Sequence, residues 1–382
     1  MRVKPPYRIH MAIPPDSAYW RQVIMGIRQY GFDSGRIEIN PPSLAHESNA
    51  FGRSISGAGR VHGIIAAAHT HRMERDLLRL RIPALNVSNA LRDPKLTVIT
   101  QDDVLVGRLA GEHLRDCGFR RFVFWGQVFG NYSHERQRGF EQVVAKCGTL
   151  IDRQEMRAPF GWSQYLRMLA WLRRQTPPFA LFAVSDLIAS TALRAARELK
   201  WRVPEDMAVL GADDDEFFSS YESPPLSSVR TPAKKVGYEA AAEMDRLLSG
   251  KPARTEPIRV PPPGLRVRQS TDILHVDDVV VAKAVRFIRN HPTANPYIGE
   301  IVKAAGVSRS LLKVRFQSVL GRSMLREVQM VRVERAKQLL VSTDLTLDTV
   351  AERCGFPNSQ RFSVLFAQLT GTSPGRFRRE RP

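Results

Sequence analysis

The sequence predicts an α/β domain of two lobes followed by an all-α domain that contains two similar helix pairs. Three observations support this fold class. Short apolar runs alternate with helix-length segments over residues 7 to about 250, and a proline-bearing stretch then interrupts the alternation. Beyond that stretch only helical patterns follow, and one arrangement of them occurs twice.

The strands of the first domain are predicted from short, almost continuously apolar runs, which are typical of parallel strands buried on both faces. These runs begin at Tyr7, Gly63, Pro83, Arg121, Ala180 and Val209. Helix-length segments lie between them, at 104–117, 134–147, 187–199 and 232–248. Alternating strands and helices predict βαβ units with parallel sheets, and about 260 residues suit two lobes rather than one.

Residues 249–272 change character. Three consecutive prolines at 261–263 exclude a helix and favour an extended backbone. We interpret this stretch as a last edge strand or a crossover, followed by a short linker. The predicted domains are therefore 1–272 and 273–382.

A helix pair is predicted at about 298–320. Gly306 ends the first helix and Ser308 is placed to cap the second. The buried stripe of the first helix is Ile298, Ile301, Val302 and Ala305, and that of the second is Leu312, Phe316 and Val319. The outward face of the second helix carries Ser310, Lys313, Val314 and Gln317.

The same arrangement recurs 49 to 50 residues later, at about 347–370, with Gly355 at the turn. Its buried residues are Leu347, Val350, Ala351, Cys354, Phe362, Leu365, Phe366 and Leu369, and its outward face carries Gln360, Ser363, Val364 and Ala367. Two helices joined by a tight glycine turn form a helix-turn-helix, whose second helix fits the major groove of DNA. A long helix between the pairs is predicted from Leu325, Val328, Ala336, Leu339 and Leu340.

Composition and charge limit the classes of protein. Hydrophobic residues make up 43% and charged residues 25% of the 382, and no run approaches the ~20 apolar residues that cross a bilayer. The N-terminal segment lacks the apolar core of a signal peptide. We therefore expect a cytoplasmic protein without a membrane partner.

The positive charge is concentrated toward the C-terminus. The formal net charge is +19 at pH 7, from 57 Lys and Arg against 38 Asp and Glu. From residue 276 to the end the counts are 18 against 9, and over the preceding 275 residues they are 39 against 29. The net positive charge per residue is thus more than twice as high in the C-terminal part, which favours a polyanionic partner there.

Metal and cofactor chemistry is not predicted. Cys117, Cys147 and Cys354 lie too far apart for a paired-cysteine zinc site, and we expect three buried thiols. His69 and His71 form a His-x-His pair without a third metal ligand, which favours two loop histidines. An enzyme is the main rival interpretation, but the sequence contains no nucleophile elbow, phosphate loop or dinucleotide fingerprint.

The second helix pair and the segment after it resemble the AraC-type regulators. The shared residues are Gly355 and Phe356 at the turn, Phe362 and Phe366, then Gly371, Pro374, Phe377 and Arg378. The first pair, AGVSRSLLKVRFQSVLG, is similar to the other half of that domain, apart from Val302 where the family has a small alanine. The resemblance implies binding to double-stranded DNA, with base contacts from Ser310, Lys313, Gln360 and Arg361. Further candidate DNA contacts are Gln317, Ser359 and Ser363. It places Arg309, Arg315, Arg322 and Arg376 near phosphates.

The first 272 residues resemble the effector domain of the LacI/GalR-type regulators, which is periplasmic-binding-protein-like. The stretches that match begin at Val98, Glu135, Phe182 and Pro224 and occur in the family's order. The resemblance implies a sugar in a cleft at the carboxyl ends of the strands. It differs in that Tyr7 already begins the first strand, so no DNA-binding segment is expected before it.

Family positions and chemistry single out seven candidate ligand residues. They are Asp16, Tyr19, Trp20, Arg136, Ser185, Asp186 and Asp213, which offer charged hydrogen bonds to hydroxyls and aromatic rings for the apolar face of a sugar. Structural alternatives stay open: Asp186 as a helix cap, Trp20 as core, and residues 213–216 as a solvated loop.

The two resemblances together match regulators of pentose operons, which makes D-xylose the candidate effector. They imply a homodimer and, for an activator, contact with RNA polymerase. A repressor, a different sugar, and a sugar-binding module whose tail binds a protein are the alternatives.

Overall fold

The structure, a computed structural model, describes residues 6–39, 61–157, 161–219, 222–272, 278–291, 298–343 and 345–379. The chain divides into two compact units, Met1–Asp272 and Ile273–Pro382. Each unit has its own hydrophobic cores.

The first lobe of unit one contains a six-stranded parallel sheet. Its strands are β1 (Tyr7–Ala12), β2 (Ile37–Ile39), β3 (Gly63–Ala66), β4 (Ala84–Asn86), β5 (Thr97–Gln101) and β11 (Ile258–Val260), in the order β11-β5-β4-β3-β1-β2. The helices that pack on it are α1 (Ala18–Ser34), α2 (His71–Arg79) and α8 (Ala233–Leu248). The core between the sheet, α1 and α8 includes Ile9, Met11, Val23 and Val236.

The second lobe contains the other six-stranded sheet. Its strands are β6 (Arg121–Gln127), β7 (Thr149–Met156), β8 (Phe179–Ala183), β9 (Met207–Asp213), β10 (Ser227–Arg230) and β12 (Leu265–Arg266), in the order β12-β10-β9-β8-β6-β7. Only β12 is antiparallel to its neighbour. The helices are α3 (Asp103–Asp116), α4 (Asn131–Val144), α5 (Trp162–Leu172), α6 (Asp186–Glu198) and α7 (Glu216–Ser219), and a 3₁₀ turn follows at Gln269–Thr271.

The chain passes between the lobes three times, after β5, after β10 and after β11. Parallel strands of both sheets therefore end near these crossovers. Side chains that lie far apart in the sequence can meet there.

Two helix pairs pack with their backbones in contact through glycines. A Cβ atom added at Gly107 in α3 would lie 1.8 Å from the carbonyl oxygen of Arg136 in α4, and one at Gly139 would lie 1.9 Å from that of Val104. Gly26 in α1 and Gly237 in α8 form the equivalent contact in the first lobe. No larger residue fits at these positions unless the helices separate.

The apolar runs predicted as strands are all strands in the structure: β1, β3, β4, β6, β8 and β9. The four predicted helices correspond to α3, α4, α6 and α8, with ends that differ by at most three residues. An edge strand and a crossover were predicted as alternatives within 249–272, and the structure has both. The strands β11 and β12 are edge strands of different sheets, so the chain crosses between the lobes from one to the other. The sequence did not indicate β2, β5, β7 or β10.

Unit two contains helices alone among its described residues. They are α9 (Val279–Asn290), α10 (Ile298–Ala305), α11 (Arg309–Leu320), α12 (Met324–Ser342), α13 (Leu347–Arg353), α14 (Ser359–Thr370) and α15 (Pro374–Arg379). One core joins α9, α10, α11 and the start of α12, and another joins the end of α12 to α13, α14 and α15. The two helix pairs are α10 with α11 and α13 with α14.

The turns within the helix pairs have the predicted chemistry. Gly306 and Gly355 have φ of +73° and +74°, a region that glycine enters without a steric penalty. The Ser308 hydroxyl accepts the backbone N–H of Leu311 at 3.3 Å, as the capping prediction requires. Asn358 caps α14 in the same way, by accepting the N–H of Arg361 at 2.8 Å.

Three sequence predictions about burial are wrong. Val319, next to the last residue of α11, is exposed. Leu325 is exposed because α12 directs Met324 and Val328 into the first core and Val333 and Ala336 into the second. Cys147 is only half-buried, unlike Cys117 and Cys354. None of the three cysteines, all of which the structure describes, is in a disulfide.

No described helix has the length and apolarity that crossing a membrane requires. In the same described part of the chain, no three His, Cys, Asp or Glu side chains are grouped as metal ligands. His69 instead lies with Nδ1 3.2 Å from the Ser88 hydroxyl, and His71 lies 3.6 Å from Glu74.

Candidate ligand cavity and recognition helices

A cavity of about 260 Å³ lies between the two lobes of unit one. The first lobe lines it with Ser17, Tyr19, Trp20, His69, Val87, Ser88, Asn89, Thr100 and Gln101, and the second with Asp103, Gln127, Tyr132, Arg136, Ser185 and Asp213. This volume lies at the small end for ligand pockets, which range over roughly 300–1,000 Å³. Both lobes contribute polar groups, so a ligand there would contact both.

Arg136 is the central cation of the cavity. It is buried in α4, and its Nε donates to Asp103 Oδ1 at 2.9 Å. Its Nη2 lies 3.4 Å from Asp213 Oδ1, and its Nη1 also donates to the Val184 carbonyl. Burial alone would lower the pKa of Arg136, but the carboxylates of Asp103 and Asp213 outweigh burial and raise it. The guanidinium therefore stays charged and fixed in direction.

Asp103 joins several polar side chains of the cavity. Besides Arg136, it accepts from Gln101 Nε2 at 3.0 Å and from Asn89 Nδ2 at 2.8 Å. Burial raises the pKa of Asp103, and the neighbouring Arg136 works in the opposite direction. Asp103 thus fixes the amides of Gln101 and Asn89 as well as the guanidinium.

Asp213 is the acid that is most accessible to a ligand. Its side chain is 28% exposed, whereas the side chain of Asp103 is 1% exposed. Burial raises the pKa of Asp213 to about 6, although Arg136 lowers it. Its contacts with Arg136 are long, at 3.4 and 3.5 Å, so its oxygens retain capacity to accept hydrogen bonds.

The backbone around Asp213 is held by buried polar contacts. Asp213 has φ of +116°, a strained value for a residue with a side chain. Asp214 anchors the turn through Arg268 at 2.8 Å and Arg266 at 3.2 Å. Asp186 accepts the N–H of Asp215 at 2.8 Å and the Ser228 hydroxyl at 2.7 Å. The turn at 213–215 is therefore fixed, in contrast to the solvated-loop alternative.

Aromatic rings form the apolar part of the cavity wall. The rings of Tyr19 and Trp20 meet edge to face at 4.9 Å, and Trp20 meets His69 at 5.7 Å. Opposite them, Tyr132 lies with its ring centre 5.4 Å from the Arg136 guanidinium, and its hydroxyl donates to Gln127. Burial raises the pKa of Tyr132 to about 12. The cavity thus combines ring faces with directed polar groups.

Two polar atoms of the cavity wall have no partner among the described residues. They are Oε1 of Gln101 in the first lobe and Oγ of Ser185 in the second. Because the Gln101 amide donates to Asp103, its oxygen is the atom left to accept. Buried polar atoms are normally paired, so this arrangement suits a ligand that supplies hydroxyl groups to both lobes.

An ion pair also spans the lobes beside the cavity. Arg259 of β11 contacts Glu135 of α4 in a bidentate manner, at 2.7 and 2.8 Å. Asn89, after β4, donates to the same Glu135 at 2.8 Å. Glu135 precedes Arg136 in the chain, so this bridge and the central cation belong to one turn of helix.

The recognition helices, α11 and α14, expose most of the predicted DNA contacts. Exposed side chains are Arg309, Ser310, Lys313, Gln317, Gln360 and Arg361, while Ser359 and Ser363 are half-buried. No ion pair joins Arg309, Lys313 or Arg361 to another described residue. The opposite faces are buried through Leu312 and Phe316 in α11 and through Phe362 and Phe366 in α14.

The other predicted phosphate contacts differ in their availability. Arg315 lies 3.3 Å from both carboxylate oxygens of Asp278, at the start of α9. Arg322 pairs at 2.7 Å with the buried Glu327. Arg376 is exposed in α15. Arg315 and Arg322 thus have structural roles in the unit, whatever they contact in DNA.

Family models match both units of the chain. Residues 111–271 match a periplasmic binding protein-like domain, and residues 301–380 match a helix-turn-helix domain. The xylose operon regulatory protein of Escherichia coli K12 is 28% identical over 97% of each chain. The protein of that name from Haemophilus influenzae is 27% identical over 97% of this chain and 98% of its own. The chain is a DNA-binding transcription regulator.

A solved structure supports the same architecture for the regulator. It is described as a xylose-binding transcription activator, is 28% identical, and covers 99% of both chains with a TM-score of 0.64. The predicted fold class, a periplasmic-binding-protein-like domain followed by a helix-turn-helix domain, is thereby confirmed. These relatives are regulators rather than enzymes, in agreement with the prediction that this chain is not an enzyme.

Five of the seven ligand residues predicted for the regulator line the cavity: Tyr19, Trp20, Arg136, Ser185 and Asp213. Asp16 does not line it; α1 begins at Ala18, and Asp16 is exposed just before the capping Ser17. Asp186 does not line it either, because it is buried and both of its oxygens are engaged by the loop that follows β9 and by β10.

The sequence prediction of ligand residues did not include several polar residues of the regulator's cavity, among them Asn89, Gln101, Asp103 and Tyr132. The signal available was their position, since Asn89 and Gln101 follow or end strands and Asp103 and Tyr132 begin helices. Polar residues at such points face the carboxyl edge of a parallel sheet. Gln101 and Asp103 lie at the end of β5, a strand that was not predicted, whereas Asn89 and Tyr132 lie three and five residues beyond the predicted strands β4 and β6.

Proposed function

We propose that the regulator binds a small sugar, D-xylose, between the lobes of residues 1–272, and that the bound sugar controls DNA binding by residues 273–382. The observation that carries the proposal is the arrangement of Arg136 between Asp103 and Asp213 in a small cavity with aromatic walls. Charged donors and acceptors give directed hydrogen bonds to hydroxyls, and rings cover the apolar face of a sugar. Similarity to xylose operon regulatory proteins over the full length favours a pentose.

The sugar would act by favouring one arrangement of the two lobes. Gln101 and Asn89 come from one lobe, and Arg136 and Ser185 from the other, so a ligand that contacts all four stabilises the closed arrangement. A ligand shifts an equilibrium only by its difference in affinity for the two states. The Arg259–Glu135 bridge biases the same equilibrium, because it also joins the lobes.

The regulator would act as a homodimer in the cytoplasm and activate a pentose operon through contact with RNA polymerase. Two protomers would present four recognition helices to paired half-sites. The description of the similar solved structure as a xylose-binding transcription activator supports activation over repression.

Ligand binding is tested by thermal unfolding and calorimetric titration of the full chain with D-xylose, other pentoses and hexoses. We expect D-xylose to raise the melting temperature, because a ligand specific to the folded state stabilises it. Arg136→Ala should lose that response, whereas Arg138→Ala, which removes an exposed arginine two residues later in α4, should retain it. A full response in Arg136→Ala would contradict the site, and a response to a hexose alone would contradict the choice of sugar.

DNA binding is tested by gel shift with a salt titration, on DNA from the promoter of the operon that the regulator is proposed to control. The double variant Lys313→Ala with Arg361→Ala should weaken binding by at least tenfold, because both exposed cations lie on recognition helices. Arg21→Ala with Arg28→Ala is the matched control, since it removes the same charge from the exposed surface of α1. Equal losses in both double variants would show that only net charge matters.

A further inference from the structure

The recognition helices share one feature that charge and hydrogen bonding do not explain. Val314 and Val364 are the sixth residues of α11 and α14, and their side chains are 66% and 71% exposed. They occupy equivalent positions, because the two helices have the same length of 12 residues and begin 50 residues apart. The repeat thus places an apolar, branched side chain at the same exposed point twice.

Neither valine contributes to the cores of unit two. At 100° per residue, Val314 lies ~160° around the helix from Leu312 and Phe316, which are buried. Val364 has the same relation to Phe362 and Phe366. A branched residue also has a lower helix propensity than alanine. The stability of the helices therefore gives no reason for valine at either position.

The neighbours of both valines on the helix surface are mostly polar. At helical spacing three of the four neighbours of Val314 are polar, Ser310, Gln317 and Ser318, and the fourth is Leu311, which is 42% exposed. Three of the four neighbours of Val364 are also polar, Gln360, Arg361 and Gln368, and the fourth is Ala367. Single exposed apolar residues are ordinary. Two at one repeated position, each among mostly polar neighbours and beside exposed cations that pair with no described acid, indicate contact with a partner that carries both anionic groups and an apolar group.

We propose that Val314 and Val364 each contact the 5-methyl group of a thymine in the major groove. Thymine alone among the four bases presents a methyl group there, beside the acceptors and donors that polar side chains contact. Each protomer carries both valines, so its half-site then has two thymines in contact with them, and the valines help to determine the sequence of the binding site. This inference rests on the assignment of α11 and α14 as recognition helices.

The test uses the full-length regulator and duplexes isolated by its selection from a random library. Each thymine of a selected site is replaced in turn by deoxyuridine, which removes only the methyl group. We expect two positions in each half-site, four in a site bound by a dimer, at which the replacement raises Kd about fourfold, the effect of exposing roughly one methyl group again. Other thymines should be insensitive to the replacement.

Variants then link each thymine to its valine. Val314→Ala should abolish the effect of deoxyuridine at one of the two positions of each half-site and leave the other unchanged, and Val364→Ala should do the reverse. Val319→Ala is the matched control, because Val319 is also exposed on α11 but lies ~140° away from Val314. It should retain both effects.

Three results would overturn the inference, and they are distinguishable. Selected sites without methyl-sensitive thymines, or sensitivity that persists in both alanine variants, would show that the valines do not contact methyl groups while DNA binding itself stands. Failure to select any duplex would overturn the assignment of the recognition helices, and the valine contacts with it.

Discussion

Single residues in the cavity are arranged for a ligand more than for stability. Asp213 combines a strained backbone with a carboxyl group whose pKa burial raises to about 6. Gln101 and Ser185 each keep a polar atom without a described partner. Such features destabilise the unliganded fold, and they are typical of binding sites.

The carboxyl group of Asp213 should make stability depend on pH. In the unfolded chain its pKa is ~3.9, and in the folded protein it is raised to about 6. The folded state therefore holds the proton more tightly, and the contribution of Asp213 to stability is full below about pH 4 and is lost as the pH rises through about 6. Asp213→Asn should consequently be more stable than the parent at pH 7.5, with a difference that shrinks toward pH 4, measured by thermal unfolding without ligand.

The control for this pH dependence is Asp16→Asn, which changes an exposed aspartate outside the cavity. Its melting temperature should follow that of the parent at every pH. Asparagine suits position 213 because it tolerates positive φ better than most residues do. A stability difference for Asp213→Asn that is the same at pH 4 and pH 7.5 would show that the carboxyl group is not the cause.

At the scale of elements, glycine contacts set the position of the ligand residues. The α3–α4 pair carries Asp103 and Arg136, and its closest approach is at Gly107 and Gly139. The α1–α8 pair repeats this contact in the other lobe through Gly26 and Gly237. Each lobe thus presents its cavity residues from a helix whose distance to its neighbour is fixed by backbone contact.

Gly107→Ala should separate α3 from α4 and lower both stability and sugar affinity. The added Cβ would lie 1.8 Å from the Arg136 carbonyl oxygen, so α4 must move. We expect a loss of at least ~1–3 kcal/mol in the free energy of unfolding, together with weaker D-xylose binding in calorimetric titration. Gly299→Ala, where nothing lies within 4 Å of the added Cβ in α10, should instead gain up to ~1 kcal/mol in stability.

The α12 helix is the element that joins the two cores of the DNA-binding unit. Near its start Glu327 is buried between Arg322, at 2.7 Å, and Arg289, at 3.9 Å. Further along it, Glu334 pairs with Lys337 at 2.9 Å in a half-exposed position. The same type of ion pair therefore occurs in two environments on one helix.

Glu327→Ala should destabilise the helical unit by ~3–5 kcal/mol, because it leaves two arginines without their buried partner. Glu334→Ala should change stability by less than ~1 kcal/mol, since water screens that pair. Urea unfolding followed by circular dichroism measures both. Similar effects of the two substitutions would mean that burial does not decide the strength of these pairs.

At the scale of the whole molecule, the sequence predicted what depends on local patterns. The apolar runs at β1 and β6 and the repeated glycine turns at Gly306 and Gly355 depend on neighbours in the chain, and all were predicted. Gln101 and Asp103 were not, because their surroundings are assembled by a crossover between lobes. The strand β5, TVITQ, also ends in polar residues that line the cavity, which weakens the apolar signal of a strand.

Control of DNA binding by sugar requires coupling between the two units, and that coupling must be reciprocal. If D-xylose changes the affinity for DNA by some factor, then DNA changes the affinity for D-xylose by the same factor. D-xylose is therefore titrated into the full-length regulator without and with saturating site DNA. The Kd for D-xylose without DNA divided by that with DNA should equal the Kd for DNA without sugar divided by that with sugar. We expect a factor between about 5 and 150, the usual range for coupled sites.

Arg259→Ala removes one bridge between the lobes and should change this factor while D-xylose still binds, because Arg259 contacts Glu135 and does not line the cavity. Equal D-xylose affinities with and without DNA would mean that the sugar controls transcription by a route other than the affinity of the regulator for DNA.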